Sequence, residues 1–206
     1  MDLDLGNSEV LKKFLLPEAL VGLEPNVRDT HINLIGLGVA KSFDQFCNRK
    51  FKRSTAHTDI FEADREHWFL AATPVESVTT VHVKNDEDDG WELISDGYIN
   101  LQANSGRLWF GSQHGSHESL VKVTYIGGYW YDSTDLQDDT LPANATELPD
   151  DISLAWQLQC QHVWGARDKL GLSTISAPDT ANKTDKLELI PDVKRILQSY
   201  IRYQMT

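Results

Sequence analysis

His114 and His117 stand three residues apart in a Gly/Ser-rich stretch, a spacing at which two imidazoles can share a zinc ion. A structural zinc site takes four ligands, and no cysteine or second histidine pair stands nearby, so the pair reads as a solvated hairpin tip. Asp86-Glu87-Asp88-Asp89 before Gly90 has the composition of a calcium loop but not the spaced oxygens and closing glutamate of an EF-hand. Asp132, Asp135, Asp138 and Asp139 come nearer to ligand spacing. They are read as solvated loop surface, with a Ca2+ or Mg2+ site left open. His31 and His162 fall in helical patterns, as surface or satisfied core histidines do. Ile35-Gly36-Leu37-Gly38 has two of the three glycines of a dinucleotide loop and follows no strand. G-x-S-x-G and P-loop motifs are absent from the sequence. The residues therefore point to no catalytic group, no metal and no cofactor, and the chain reads as a non-enzyme. A hydrolase using acidic residues stays as an alternative, because paired carboxylates meet only in space.

The elements that would position such residues can be read from composition and period. The chain has 206 residues, 40% hydrophobic and 24% charged, enough for one domain with a core or one domain carrying a large insertion. A net charge of -12 repels phosphates and disfavours ordinary nucleic-acid binding. The charge is uneven: Lys41 to Arg53 is basic, whereas Asp86 to Asp89 and Asp132 to Asp151 are acidic. That asymmetry suits head-to-tail contact between copies, as well as a plain solvated surface. Cys47 and Cys160 sit in helical patterns among apolar neighbours and read as buried free thiols. No signal peptide and no membrane-length apolar stretch is seen, so the expectation is a soluble protein made in a reducing cytoplasm.

Ser8 opens a short helix that Pro17 stops or restarts. Asn26 is expected to cap a longer one with Val27, Leu34, Ile35, Val39, Phe43, Phe46 and Cys47 as its apolar positions. Gly36 and Gly38 weaken that helix unless a neighbour packs against its backbone. Asn48-Arg49-Lys50-Phe51 would form its cationic C-terminal end. From about Thr55 the period becomes that of strands, at Asp59–Phe61, Trp68–Leu70, Val75–Val83, Trp91–Ile94, Tyr98–Leu101, Arg107–Phe110 and Leu120–Ile126. Gly127-Gly128 ends the last of these. Helical spacing returns at Pro149-Asp150-Asp151, with Ile152, Ala155, Trp156, Gln159-Cys160 and Val163-Trp164 on one face. Ser173 to Lys186 reads as loop. Pro191 opens a final helix with Val193, Ile196, Leu197, Tyr200 and Ile201 as its stripe.

Four pieces of the sequence resemble the head–tail connector family of long-tailed bacteriophages, also called head-completion or adaptor proteins. They are Ala40 to Phe51, a helix closing on an aromatic before an Asn-Arg-x-Phe turn; Pro74 to Val81, similar to a Pro-Val-x-Ser-Val strand; Val121 to Tyr129, similar to a V-x-Y-x-x-G-Y strand end; and Leu148 to Leu172, similar to an L-P-x-x-I…A…R-x-K-x-G helix. They follow the family's order. The order of elements, helices, then strands, then helices, implies an α+β fold in which the N- and C-terminal helices bury their stripes together as one bundle, with a central antiparallel β-sheet or small-barrel insertion. The expected layout is 1–53 helical, 54–131 β-rich, 132–147 an acidic loop and 148–206 helical. The longer β segment and the acidic loop depart from compact members.

The resemblance further implies a virion protein at the head–tail junction, made in the host bacterial cytoplasm. Copies would form a ring, typically a dodecamer, below the portal protein. The ring would extend the DNA channel, let DNA pass without sequence-specific binding, and dock a downstream tail or stopper/neck protein. Ring closure needs heterologous interfaces. Tyr200, Ile201, Arg202 and Tyr203 are interface candidates, since Tyr and Arg are enriched in binding hot spots; Tyr200 and Ile201 also fit a core role. Trp109 and Phe110 are adjacent on a strand and face opposite sides, so one of them can meet a partner. The second alternative is a ligand- or carbohydrate-binding β module of a tail protein, with Trp91, Trp109 or Trp130 on an open face.

Overall fold

The computed structural model describes residues 25–65, 67–86, 88–94, 99–110, 119–130, 141–166, 175–177, 180–182 and 188–202, with backbone alone at 25–28, 110, 175–177 and 180–182. The expected helix from Ser8, the His114/His117 pair, the acids from Asp132 to Asp139, and Tyr203 lie outside these residues. The fold is α+β, mixing helices with antiparallel sheets. It divides into two compact units: Met1–Cys47, Tyr131–Asp139 and Leu148–Thr206 form one, Asn48–Trp130 and Thr140–Glu147 the other.

The first unit is helical. Helix α1 (Pro25–Cys47) starts one residue ahead of the expected Asn26 cap, because a proline in the first turn has no N–H to lose and a φ already set for helix. Its buried stripe is Ile32, Gly36, Val39, Phe43 and Cys47, a spacing of four, three, four and four. Leu34 was expected on this stripe and is 62% exposed instead. The core position is Ile32, which places Leu34 on the opposite side of the helix. Gly36 is buried and its carbonyl accepts the indole N–H of Trp156 at 3.1 Å. A neighbour thus packs against the helix backbone, the condition under which this glycine was expected to be tolerated. Asn48, at φ 50, ends the helix in the left-handed conformation that asparagine tolerates. Arg49 and Lys50 therefore fall beyond the last turn, which holds no cation.

Helix α2 (Asp150–Ala166) buries Ile152, Ala155, Trp156, Gln159, Cys160 and Trp164. Gln159 is buried but matched, donating to the Glu188 carbonyl at 3.1 Å and accepting from Ile190 N–H at 2.9 Å. Helix α3 (Pro191–Leu197) buries Val193 and Leu197. Its stripe was expected to run on through Ile201. Instead a 3-10 turn (Gln198–Tyr200) follows, and Ile201 is extended so that Arg202 N–H can reach the Cys47 carbonyl at 2.9 Å. All three helices touch one another. Cys47 and Cys160 are free and buried, as expected. The stretch read as loop from Ser173 carries an antiparallel pair, β10 (Ile175–Ala177) with β11 (Thr180–Asn182). Ile175 and Thr180 supply the β-branched character.

The second unit is β. A four-stranded sheet has the order β1 (Ser54–Glu62), β7 (Leu120–Gly127), β3 (Val75–Lys84), β4 (Glu92–Leu93). A three-stranded sheet has the order β2 (His67–Phe69), β6 (Arg107–Phe110), β5 (Ile99–Gln102). Along β7, Val121, Val123 and Tyr125 are buried and alternate with residues less covered, as a strand with one face on a core must. Among the described residues these strands pair into two sheets, and Trp68, Leu108, Val81, Val121, Val123 and Tyr125 share one core drawn from both. A short parallel pair, β8 (Tyr129–Trp130) with β9 (Thr146–Glu147), lies where the acidic loop was expected to continue to Glu147. The threonine there favours extended backbone despite the acids around it.

Candidate functional site

Three of the four segments that carry the resemblance meet at one corner of the β unit. The turn after α1, the start of β3 and the end of β7 are stitched by backbone hydrogen bonds. Tyr129 N–H reaches the Phe51 carbonyl at 2.7 Å, Arg53 N–H the Tyr129 carbonyl at 3.0 Å, and Gly128 N–H the Pro74 carbonyl at 2.9 Å. The approach is close enough to require the glycines. A Cβ on Gly128, at φ +94, would lie 2.6 Å from the Lys52 carbonyl oxygen, and one on Gly127 would lie 2.6 Å from that of Ala72.

Charged side chains brace the same corner. Arg49 donates to the Thr73 carbonyl and lies over the rings of Phe51 and Tyr129, 4.8 and 5.3 Å from their centroids. Arg53 grips Glu76 through two parallel bonds of 2.5 and 2.8 Å. That hydrogen bonding raises the Arg53 pKa against the opposing pull of burial. Behind the corner, Asp59 Oδ2 accepts the Tyr125 hydroxyl at 2.7 Å and the Ala71 N–H at 2.8 Å, while the Tyr125 oxygen accepts the Ala72 N–H at 2.9 Å. His57 packs its ring 5.5 Å from that of Tyr125, with Nε2 3.0 Å from the Lys52 carbonyl oxygen. Burial holds its pKa below the usual histidine value, outweighing that bond, and nearby Lys50 acts in the same direction. Apart from Arg49 Nε, which is buried without a hydrogen-bond partner among the described residues, these groups spend their polar capacity on the fold's own backbone and side chains. The arrangement fixes a three-segment crossing and presents no activated nucleophile or converging acid pair. Among the described residues, no group of three or more His, Cys, Asp or Glu could hold a metal ion, and no helix is long and apolar enough to cross a membrane.

The interface candidates fall in both units. In the helical unit, Tyr200, Ile201 and Arg202 follow α3 and are half-buried. The Tyr200 hydroxyl donates to the Asp151 carboxylate at 2.8 Å, tying the end of the chain to the first turn of α2. In the β unit, Trp109 is half-buried on β6 with its ring 6.3 Å from His67 and the Arg107 guanidinium 5.5 Å from its centroid. Phe110 is placed on β6 by its backbone alone. Tyr203 lies outside the described residues. Sequence reasoning missed the exposed apolar residues Leu37, Leu154 and Phe69, at 52%, 50% and 41% exposure. For Leu37 and Leu154 a signal existed, since both lie off the stripe that buries the helix.

No family model matches the chain, and no curated protein matches it. Solved structures do share its fold. One is a chain in the neck of an empty gene transfer agent particle computed with C6 symmetry. It is 11% identical, with a TM-score of 0.63 over 100% of this chain and 95% of that one. A second is a chain in the virion of a native gene transfer agent particle, 13% identical, with a TM-score of 0.61 over 98% of this chain and 93% of that one. A third is a chain in the neck of the native particle computed with C12 symmetry, 10% identical, with a TM-score of 0.57 over 100% and 94%.

Proposed function

We propose that this chain is a structural, non-catalytic component of the neck of a phage-like particle. In this reading about twelve copies close a ring beneath the portal, extend the DNA channel and dock the next tail component. One observation carries the reading: the likeness to a neck chain runs from end to end, taking in helices and sheets alike, and leaves 5% or so of that chain uncovered. The resemblance of the sequence segments points the same way, and three of them meet in space. The terminal helical portions, 1–53 and 148–206, build the bundle that carries the ring, and 54–131 is an insertion in it. The excess negative charge lets the duplex slide past without being held.

The carbohydrate-binding alternative needs open indole faces. Lys122 Nζ lies 4.2 Å from the Trp91 ring centroid and Arg107 lies over Trp109, so a cation sits on one face of two of the three candidate indoles. This arrangement favours the structural reading. Native mass spectrometry and electron microscopy of the purified full chain test it. Closed rings that bind a portal are expected. A monomer at all concentrations, with no affinity for a portal, overturns the proposal.

A further inference from the structure

The outward face of α1 is covered by nothing among the described residues. Leu34 and Leu37 are 62% and 52% exposed, one turn apart, and Lys41 continues the same line. These residues lie opposite the stripe of Ile32, Val39 and Phe43 that the helix buries. Gly38 sits among them with open space where a Cβ would be. A helix-interior glycine costs about 1 kcal/mol relative to alanine. At Gly36 an indole packed on the backbone offsets that cost, whereas at Gly38 no described residue comes within 4 Å of where a Cβ would be. Helix α2 shows a matching face. Leu154 is 50% exposed, Leu158 is half-buried, and Asp150 is exposed in the first turn. These lie opposite buried Ile152, Trp156 and Gln159.

The two faces are complementary in charge, and the complementarity fixes a direction. Lys41 is four residues after Leu37, and Asp150 is four residues before Leu154. At ~1.5 Å per residue each charge stands about 6 Å from its leucine, toward the C-terminus on α1 and toward the N-terminus on α2. The geometry points to an antiparallel contact between α1 of one copy and α2 of the next. Leu37 then meets Leu154 of the second copy, Leu34 meets Leu158, and Lys41 meets Asp150. The open space at Gly38 lets the second helix come close. The occupant is a second copy of this chain because a face bearing a lysine meets one bearing a carboxylate with the leucines in step. The contact is heterologous, joining different patches, so it repeats around a ring instead of stopping at a pair. The inference rests on the ring reading above and names the surface that closes the ring.

Disulfide trapping in the full chain tests the contact. The two native cysteines are buried, so introduced thiols at the exposed leucines dominate oxidation. Leu37→Cys with Leu154→Cys should give a ladder of covalent multimers, and neither single variant should. Lys41→Asp should raise the concentration at which rings assemble by about tenfold, through a repulsion repeated at every contact, and Asp150→Lys in the same chain should restore it. Covalent dimers from Leu37→Cys alone would show a two-fold contact and overturn the inference. Intact rings with no ladder and no response to the charge reversal would overturn it and leave the ring reading standing. A chain that never assembles overturns both.

Discussion

Removing one oxygen atom from Tyr125 should cost the β unit a large share of its stability. The residue is fully buried in the shared core. Its hydroxyl donates to the Asp59 carboxylate at 2.7 Å and accepts from Ala72 N–H at 2.9 Å. In Tyr125→Phe a hydrogen bond to a charged acceptor is lost, typically about 1.5–3 kcal/mol, and the Ala72 N–H is left buried without its acceptor, about 1–3 kcal/mol. Some relaxation is expected, so ~2–4 kcal/mol is the working figure. The unit belongs to the class of domains of about 60–100 residues, in which each kcal/mol shifts the midpoint by ~4–8 °C. A fall on the order of 10–25 °C should follow. Urea denaturation, with hydrogen exchange along β7 as the local reporter, measures it. A double-mutant cycle with Asp59→Ala isolates the pair and should return a coupling of about 1–3 kcal/mol. A loss under about 0.5 kcal/mol, or a coupling near zero, would refute the claim that this pair braces the sheet.

Gly128→Ala places a Cβ against the Lys52 carbonyl at positive φ; adding about 1–2 kcal/mol for the conformation to about 1–3 for the overlap gives a loss of ~2–5 kcal/mol by urea titration. An alanine there that costs nothing would mean the crossing is loose. Trp156→Phe removes the indole bond to the Gly36 carbonyl and should cost ~1–3 kcal/mol, measured by circular dichroism of the helices during urea denaturation. His57 has a folded pKa below its ordinary 6.5. The unfolded chain therefore binds the proton more readily, and the stability His57 contributes is present above that value and lost as pH falls through it. The melting temperature should drop between about pH 7.5 and pH 5.5, and the drop should be smaller in His57→Gln. Equal drops in the two proteins would contradict the assignment.

Periodicity exposed much of the fold. The alternation of β7 and the acid-and-proline starts of α2 and α3 are local signals, and the elements stand where those signals are. The stripe of α1 was harder to read, because Gly36 is a core position without a side chain to announce it, and Leu34 mimics one that is not. The parallel pair of Tyr129 and Trp130 with Thr146 and Glu147 leaves almost no pattern: two residues per strand, set in an acidic stretch. Arg49 and Lys50 looked like helix-dipole partners and serve the β unit instead, Arg49 on the Thr73 carbonyl and Lys50 3.8 Å from Asp59. Of the interface candidates, sequence could name Tyr200 and Trp109 by type. It could not show that Asp151 and Arg107 already engage them, since those contacts depend on tertiary placement.

The crossing at Gly127 and Gly128 also bears on heredity. Lys52 bridges Tyr129, and Tyr129 pairs with Thr146, so the chain enters and leaves the β unit through a single doorway. A segment whose two ends are neighbours can be lengthened, trimmed or exchanged by recombination while the flanking helices keep their short span to bridge.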